Sequence, residues 1–173
     1  QKYEKRLGRD ATKAVAITYA MIEAMDTGLA RVFQTLKDEG LWENTLIVFT
    51  SDNGPVLRRD AKLGSQMRFN GVFSGEKESV LEGGIRVPGI AAWPGRIPAG
   101  QVIDTPVHGC DWLPTLYSLA EKPAPVGAKP FDGLNLMPLL EGKPAPAVTG
   151  RFLPFQRNRY AAVSHVNASI REG

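Results

Sequence analysis

An internal disulfide is closed to this chain, whose 173 residues include one cysteine, Cys110. A lone thiol excludes an internal disulfide framework and says little about redox compartment. No apolar stretch is long enough to span a bilayer. An excess of charge of one sign is missing too. The formal net charge is only +3, and the basic residues are scattered rather than gathered in a stripe, so nucleic-acid binding has no support. The opening Gln1-Lys2-Tyr3-Glu4-Lys5-Arg6 carries charge but no apolar run after it, so no signal peptide is expected here. A start at Gln1 rather than Met fits a cut chain. What is present is a hydrophobic fraction of 43%, enough for the core of one globular domain.

Val15, Thr18, Ile22, Met25, Leu29, Val32 and Leu36 recur at steps of three and four, which predicts an amphipathic helix over 11–39. Asp10 is placed to cap it and Gly40 to end it, and the stripe is expected to be core packing. Glu43-Asn44 then turns into an apolar, β-branched strand, Thr45–Thr50. Helix, turn and strand form half of a βαβ unit, which implies an α/β class with a largely parallel sheet. Residues 54–84 form a long connection of little periodicity. A strand over Gly89–Trp93, a Pro94-Gly95 turn and an extended piece over Val102–Val107 follow. Asp111 reads as the N-cap of a helix with Pro114 in its first turn and Leu113, Leu116 and Leu119 on its inner face. Pro-rich connectors at 122–130 and 142–147 flank short helical turns over Asn135–Glu141, and strand-like pieces lie at Arg151–Phe155 and Tyr160–Val166.

The chemistry concentrates where the first strand stops. Ser51-Asp52-Asn53-Gly54-Pro55 puts a carboxylate and a carboxamide side by side at a strand's carboxyl end, where open α/β sheets bind ligands. Two hard oxygen donors suit Ca²⁺ or Mg²⁺. The competing reading is a plain turn whose side chains satisfy local backbone groups. Downstream, Gly83-Gly84 between Glu82 and Arg86 lets backbone approach something closely. Lys77 and Arg86 can offer positive charge to an oxyanion. On residues alone, the bland readings take precedence: Lys77 as a solvated surface lysine, and Glu82 with Arg86 as a structural ion pair. Arg58, Arg59, Lys62 and Arg68 either line an anionic pocket or form a solvated basic loop. His108 reads as structural, and His165, in the tail, is left between structure and pocket.

The order TSDNG, a glycine-flanked lysine, EGGIRVP, a WPG turn and a D-x-L-P-T-L helix is similar to the C-terminal half of the sulfatase catalytic domain, in the alkaline phosphatase-like superfamily. MIEAMDTGLARVFQTLKDEGLWENT before the strand and FDGLNLMPLLEGK near the end extend the likeness over residues 11–143. It implies an α/β/α sandwich, incomplete here, with residues 1–150 as part of the catalytic domain and 151–173 as the start of a small C-terminal strand region. It implies that Asp52 and Asn53 are the late pair of Ca²⁺ ligands beside the sulfate. It implies that Lys77 contacts a sulfate oxygen, and that Glu82 and Arg86 hold the loop presenting it. Two glutamates, Glu76 and Glu78, flank that lysine where the family's setting is glycine-rich.

The family's nucleophile is a formylglycine made from Cys or Ser within x-P-x-R, and neither Cys110 nor any serine here fits. The family's early Asp-Asp metal pair and its central histidine and lysine are not found either. The expectation is therefore a piece of a sulfate-ester hydrolase carrying half of a site. Its partners would be the remainder of the catalytic domain and a sulfated small molecule or glycan. Family habit points to a periplasmic or extracellular setting. Two alternatives stay open: a phosphate or phosphonate hydrolase of the same superfamily, and a non-catalytic binding protein with a degenerate pocket. Asp52-Asn53 in place of Asp-His favours one hard cation over two transition-type metals.

Overall fold

A computed structural model describes residues 2–7, 13–56, 59–60, 64–65, 71–122, 129–158 and 165–170. By their internal contacts the residues form two units, Gln1–Ile90 and Ala91–Gly173.

In the first unit, α1 (Lys2–Leu7) packs on α2 (Lys13–Asp38), with Tyr3 stacked on Tyr19 at 5.7 Å and Lys2 paired with Glu23. The end of α2 is as the sequence predicts. Gly40 adopts φ +67°, its N–H reaches Lys37 O at 3.1 Å, and Leu41 N–H reaches Leu36 O at 2.8 Å. That pair of bonds is a Schellman cap. Asp10, the expected N-cap, lies outside the described residues. A short 3₁₀ turn, Trp42–Asn44, leads into β1 (Ile47–Thr50).

The apolar stripe of α2 departs from expectation. Val15 is buried, but Ile22 is 50% exposed, Met25 47% and Val32 55%. Geometry gives the reason. A helix of 26 residues is roughly 39 Å long, and a sheet of two four-residue strands cannot cover it.

Two small hairpin strands, β2 (Arg59–Asp60) and β3 (Gly64–Ser65), interrupt the connection that the sequence presents as irregular. The one-turn helix α3 (Glu82–Ile85) precedes β4 (Gly89–Ala92), which pairs with β1. The boundary between the two units falls inside β4.

In the second unit, Trp93-Pro94-Gly95-Arg96 forms the expected turn, closed by Arg96 N–H to Trp93 O at 3.1 Å with Gly95 at φ +77°. The extended piece over Val102–Val107 joins no sheet. Helix α4 (Trp112–Leu119) and the short α5 (Met137–Leu140) sit where proline and periodicity place them. Leu113 and Leu116 are about half exposed, whereas Thr115 is wholly buried. The inner face of α4 is thus set by a hydroxyl rather than by leucines. Thr115 Oγ1 donates to Asp111 O at 2.6 Å and accepts from Leu136 N at 2.9 Å, tying α4 to the segment before α5.

Strands β5 (Leu153–Asn158) and β6 (His165–Ile170) form an antiparallel hairpin. Two of the three described two-stranded sheets are therefore antiparallel rather than parallel. Both are local hairpins, in which short returns of the chain permit no crossover.

Asp111 does not cap α4. Its carboxylate turns back to accept from His108 N at 2.7 Å, crosses to Leu134 N at 2.9 Å, and takes both terminal nitrogens of Arg151. Burial alone would push this carboxyl up, but the hydrogen bonds from Arg151, His108 N and Leu134 N together outweigh it and hold the pKa below its ordinary value. This buried ion pair anchors the chain at the entry to β5. His108 matches its structural reading, since its ring accepts from Cys110 N at 3.2 Å and lies 5.3 Å from the Phe155 ring.

Candidate oxyanion and metal site

The site residues are assembled by glycine. After β1, Ser51 Oγ donates to Asn53 O at 3.0 Å and Asn53 Nδ2 donates to Gly54 O at 2.9 Å. This much satisfies the plain-turn reading. It also commits the amide nitrogen of Asn53 locally and leaves its oxygen as the acceptor. The Asp52 carboxylate is exposed and makes no hydrogen bond or ion pair to another described residue.

Gly54 is buried, and its N–H donates to Gly84 O at 2.9 Å. A Cβ at Gly54 would lie 2.1 Å from Gly83 O, so only glycine permits this crossing. The close approach that Gly83-Gly84 foreshadows in the sequence is therefore to the Asp52-Asn53 loop. On the other flank of Gly84, a Cβ would lie 2.3 Å from Ser79 O and 2.4 Å from Glu76 O. Those two carbonyls belong to the turn that carries Lys77. Lys77 N–H itself donates to Pro55 O at 2.8 Å.

The three sequence-predicted residues thus lie on two loops stitched together by backbone. Asp52 and Asn53 stand on one, and Lys77 on the other. Gly83 N–H to Ser74 O at 2.6 Å closes the second loop at its base. Arg86 adds side-chain ties, pairing with Glu82 at 2.8 Å and lying 4.7 Å from the Phe73 ring centroid. Both members of that ion pair are substantially exposed, so it supplies only about 0.5 kcal/mol. The stacking on Phe73, unforeseen in the sequence, gives Arg86 its second hold.

Chemically, an exposed carboxylate and an amide oxygen suit a hard cation, and an ammonium on the adjoining turn suits an anionic oxygen. Among the described residues no group of three or more His, Cys, Asp or Glu gathers to hold a metal ion. Ca²⁺ takes 6–8 oxygen ligands, so two donors fit it as part of a shell.

Arg58, Lys62 and Arg68, and the side chains of Arg59 and His165, lie outside the described residues. Cys110, 3.2 Å from His108 Nδ1, has its thiol pKa pushed up by burial and by the neighbouring Asp111 charge, which is the opposite of nucleophile activation.

Backbone comparison sets the class. A solved structure, Ps i-CgsB in complex with k-i-k-neocarrahexaose, superposes with a TM-score of 0.67 at 31% identity, covering 84% of this chain and 30% of its own. The fold is of the alkaline phosphatase-like α/β type.

The sulfatase family model matches residues 1–122, and the chain belongs to that family. Human steryl-sulfatase is 43% identical over 123 residues, covering 70% of this chain and 21% of the relative. N-acetylgalactosamine-6-sulfatase of Canis lupus familiaris is 39% identical over 121 residues, again 70% of this chain and 22% of the relative. The chain spans about a fifth of the length of these curated relatives.

Proposed function

We propose that the intact protein hydrolyses sulfate esters and that this chain contributes part of its metal and sulfate site. The observation that carries the reading is the glycine crossing, which sets Lys77 N–H on Pro55 O and so places the lysine turn against the Asp52-Asn53 loop. Asp52 and Asn53 would hold one Ca²⁺ through their oxygens. When bound, the cation supplies positive charge beside the sulfate oxygens. Lys77 donates from its ammonium to a sulfate oxygen and offsets negative charge that grows as the ester bond breaks.

The formylglycine nucleophile and the rest of the coordination shell come from a part of the protein outside this chain. Residues 1–150 belong to the catalytic domain, and the β5–β6 hairpin, with the residues around it in 151–173, begins a C-terminal strand region. The substrate is a sulfated small molecule or glycan, the range covered by the steryl and N-acetylgalactosamine-6-sulfate relatives. The setting is periplasmic or extracellular.

The test uses the intact protein with para-nitrophenyl sulfate and Ca²⁺. Asp52→Ala should abolish turnover and most Ca²⁺ affinity measured by calorimetry. Lys77→Ala should lower kcat/KM by about 10²–10³ at unchanged melting temperature. Unchanged Ca²⁺ affinity in Asp52→Ala sinks the metal assignment, and wild-type kinetics in Lys77→Ala returns that residue to the solvated surface.

A further inference from the structure

The turn that carries Lys77 contains a residue in a conformation its side chain disfavours. Ser79 N–H donates to Glu76 O at 2.9 Å, closing a four-residue turn with Lys77 second and Glu78 third. Glu78 has φ +77°, one of two non-glycine residues with positive φ among those described. Positive φ at the third position is the mark of a type II turn, where glycine or asparagine is the usual occupant. A side chain there crowds the following carbonyl, and such strain persists only where the surroundings over-determine it.

The surroundings do so at four points. Gly75 stands at φ +95°, where a Cβ would lie 2.7 Å from Leu81 Cβ and 2.8 Å from Ser79 Oγ. Ser79 Oγ accepts from Leu81 N at 3.0 Å, fixing the exit of the turn. Gly84 packs its α-carbon against Glu76 O and Ser79 O, the two ends of the turn. Lys77 N–H is bound to Pro55 O on the Asp52-Asn53 loop at 2.8 Å.

We infer that Glu78 is a positioning residue whose left-handed backbone fixes the course of the Lys77 side chain beside the Asp52-Asn53 loop. This rests on the reading of Lys77 as the sulfate-contacting lysine. Were Glu78 to relax to negative φ, the Lys77–Glu78 peptide would flip to the type I form, swinging ψ of Lys77 from about +120° to about −30° and changing the rotamers open to its side chain.

The experiment compares Glu78→Gly, Glu78→Gln, Glu78→Ala and Glu78→Val in the intact protein, each alone and with Lys77→Ala, assayed with para-nitrophenyl sulfate. Glycine accepts positive φ freely, glutamine keeps the shape without charge, and valine, being β-branched, resists positive φ most. Glu78→Gly and Glu78→Gln should keep kcat/KM within about twofold, and Glu78→Gly should melt higher. Glu78→Val should lose about tenfold to a hundredfold in kcat/KM, Glu78→Ala less, with Ca²⁺ affinity unchanged. In the Lys77→Ala background Glu78→Val should cost nothing further.

Three results overturn the inference: wild-type kcat/KM in Glu78→Val, a loss in Glu78→Gln equal to that in Glu78→Val, or the same fractional loss with Lys77 already removed. If Glu78→Val does not fold, Glu78→Ala carries the same comparison. A crippled Lys77→Ala beside unimpaired Glu78 variants removes only the positioning role. Wild-type kinetics in Lys77→Ala instead removes the reading of Lys77 itself.

Discussion

Replacing Asp111 by alanine should destabilise the intact protein by about 3–5 kcal/mol, the usual consequence of breaking a buried ion pair from one side. The magnitude follows from what is left behind. Asp111 is wholly buried, and the Arg151 side chain is only 14% exposed. Alanine would strand that guanidinium together with the backbone donors His108 N and Leu134 N. A buried donor without an acceptor costs about 1–3 kcal/mol, and a charged one more. Arg151→Met should cost less, about 2–3 kcal/mol, because the carboxylate keeps its two backbone donors. The double variant should fall short of the summed singles by at least about 1 kcal/mol, since no buried charge remains unpaired. It should still not regain wild-type stability, because both backbone N–H groups remain orphaned. Urea unfolding followed by tryptophan fluorescence measures all four corners of this cycle, with Trp112 adjacent in sequence to the pair. Additivity within about 0.5 kcal/mol, or a loss below about 1 kcal/mol in Asp111→Ala, would refute the reasoning.

The same carboxylate sets an acid limit. Its folded-state pKa lies below the ordinary 3.8, so the unfolded chain binds the proton more readily. The contribution is therefore complete above about pH 4 and is lost as pH falls through the folded value. Denaturation midpoints at pH 5 and pH 3 should differ more in wild type than in Asp111→Asn, and equal differences would count against the pair. Gly84→Ala should cost about 1–3 kcal/mol by overpacking and should also depress kcat/KM, because its Cβ would meet both carbonyls of the Lys77 turn. A stable and fully active Gly84→Ala would show that the two loops are not held as described. Asn53→Asp keeps an oxygen donor, so Ca²⁺ binding by calorimetry should survive while KM for the anionic ester rises. An unchanged KM would remove Asn53 from the neighbourhood of the sulfate.

Local features were legible in the sequence. The span of α2, its end at Gly40, β1 and the Trp93–Arg96 turn follow from periodicity and from residues whose backbone preferences are strong. The pairing of Gly83-Gly84 with a close neighbour was legible as well, though not that Gly54 is the neighbour. What failed depended on distance along the chain. Aspartate just ahead of a helix has the same pattern whether it caps or pairs, and the decisive partner of Asp111 lies 40 residues on. The stripe of α2 has the period of a buried face, but period says only that a face is apolar and not that this chain supplies its cover. At Glu78 the composition misleads, since a glutamate gives no hint of positive φ.

On either side of residues 56–73 the chain is fastened: Pro55 O by Lys77 N–H, and Ser74 O by Gly83 N–H. A segment clamped at both ends is topologically a closed loop, and the entropy of a closed loop grows only slowly with contour. Doubling its length would cost about 0.6 kcal/mol. Insertions between those two fastenings should therefore cost little and leave the registry of Asp52, Asn53 and Lys77 in place.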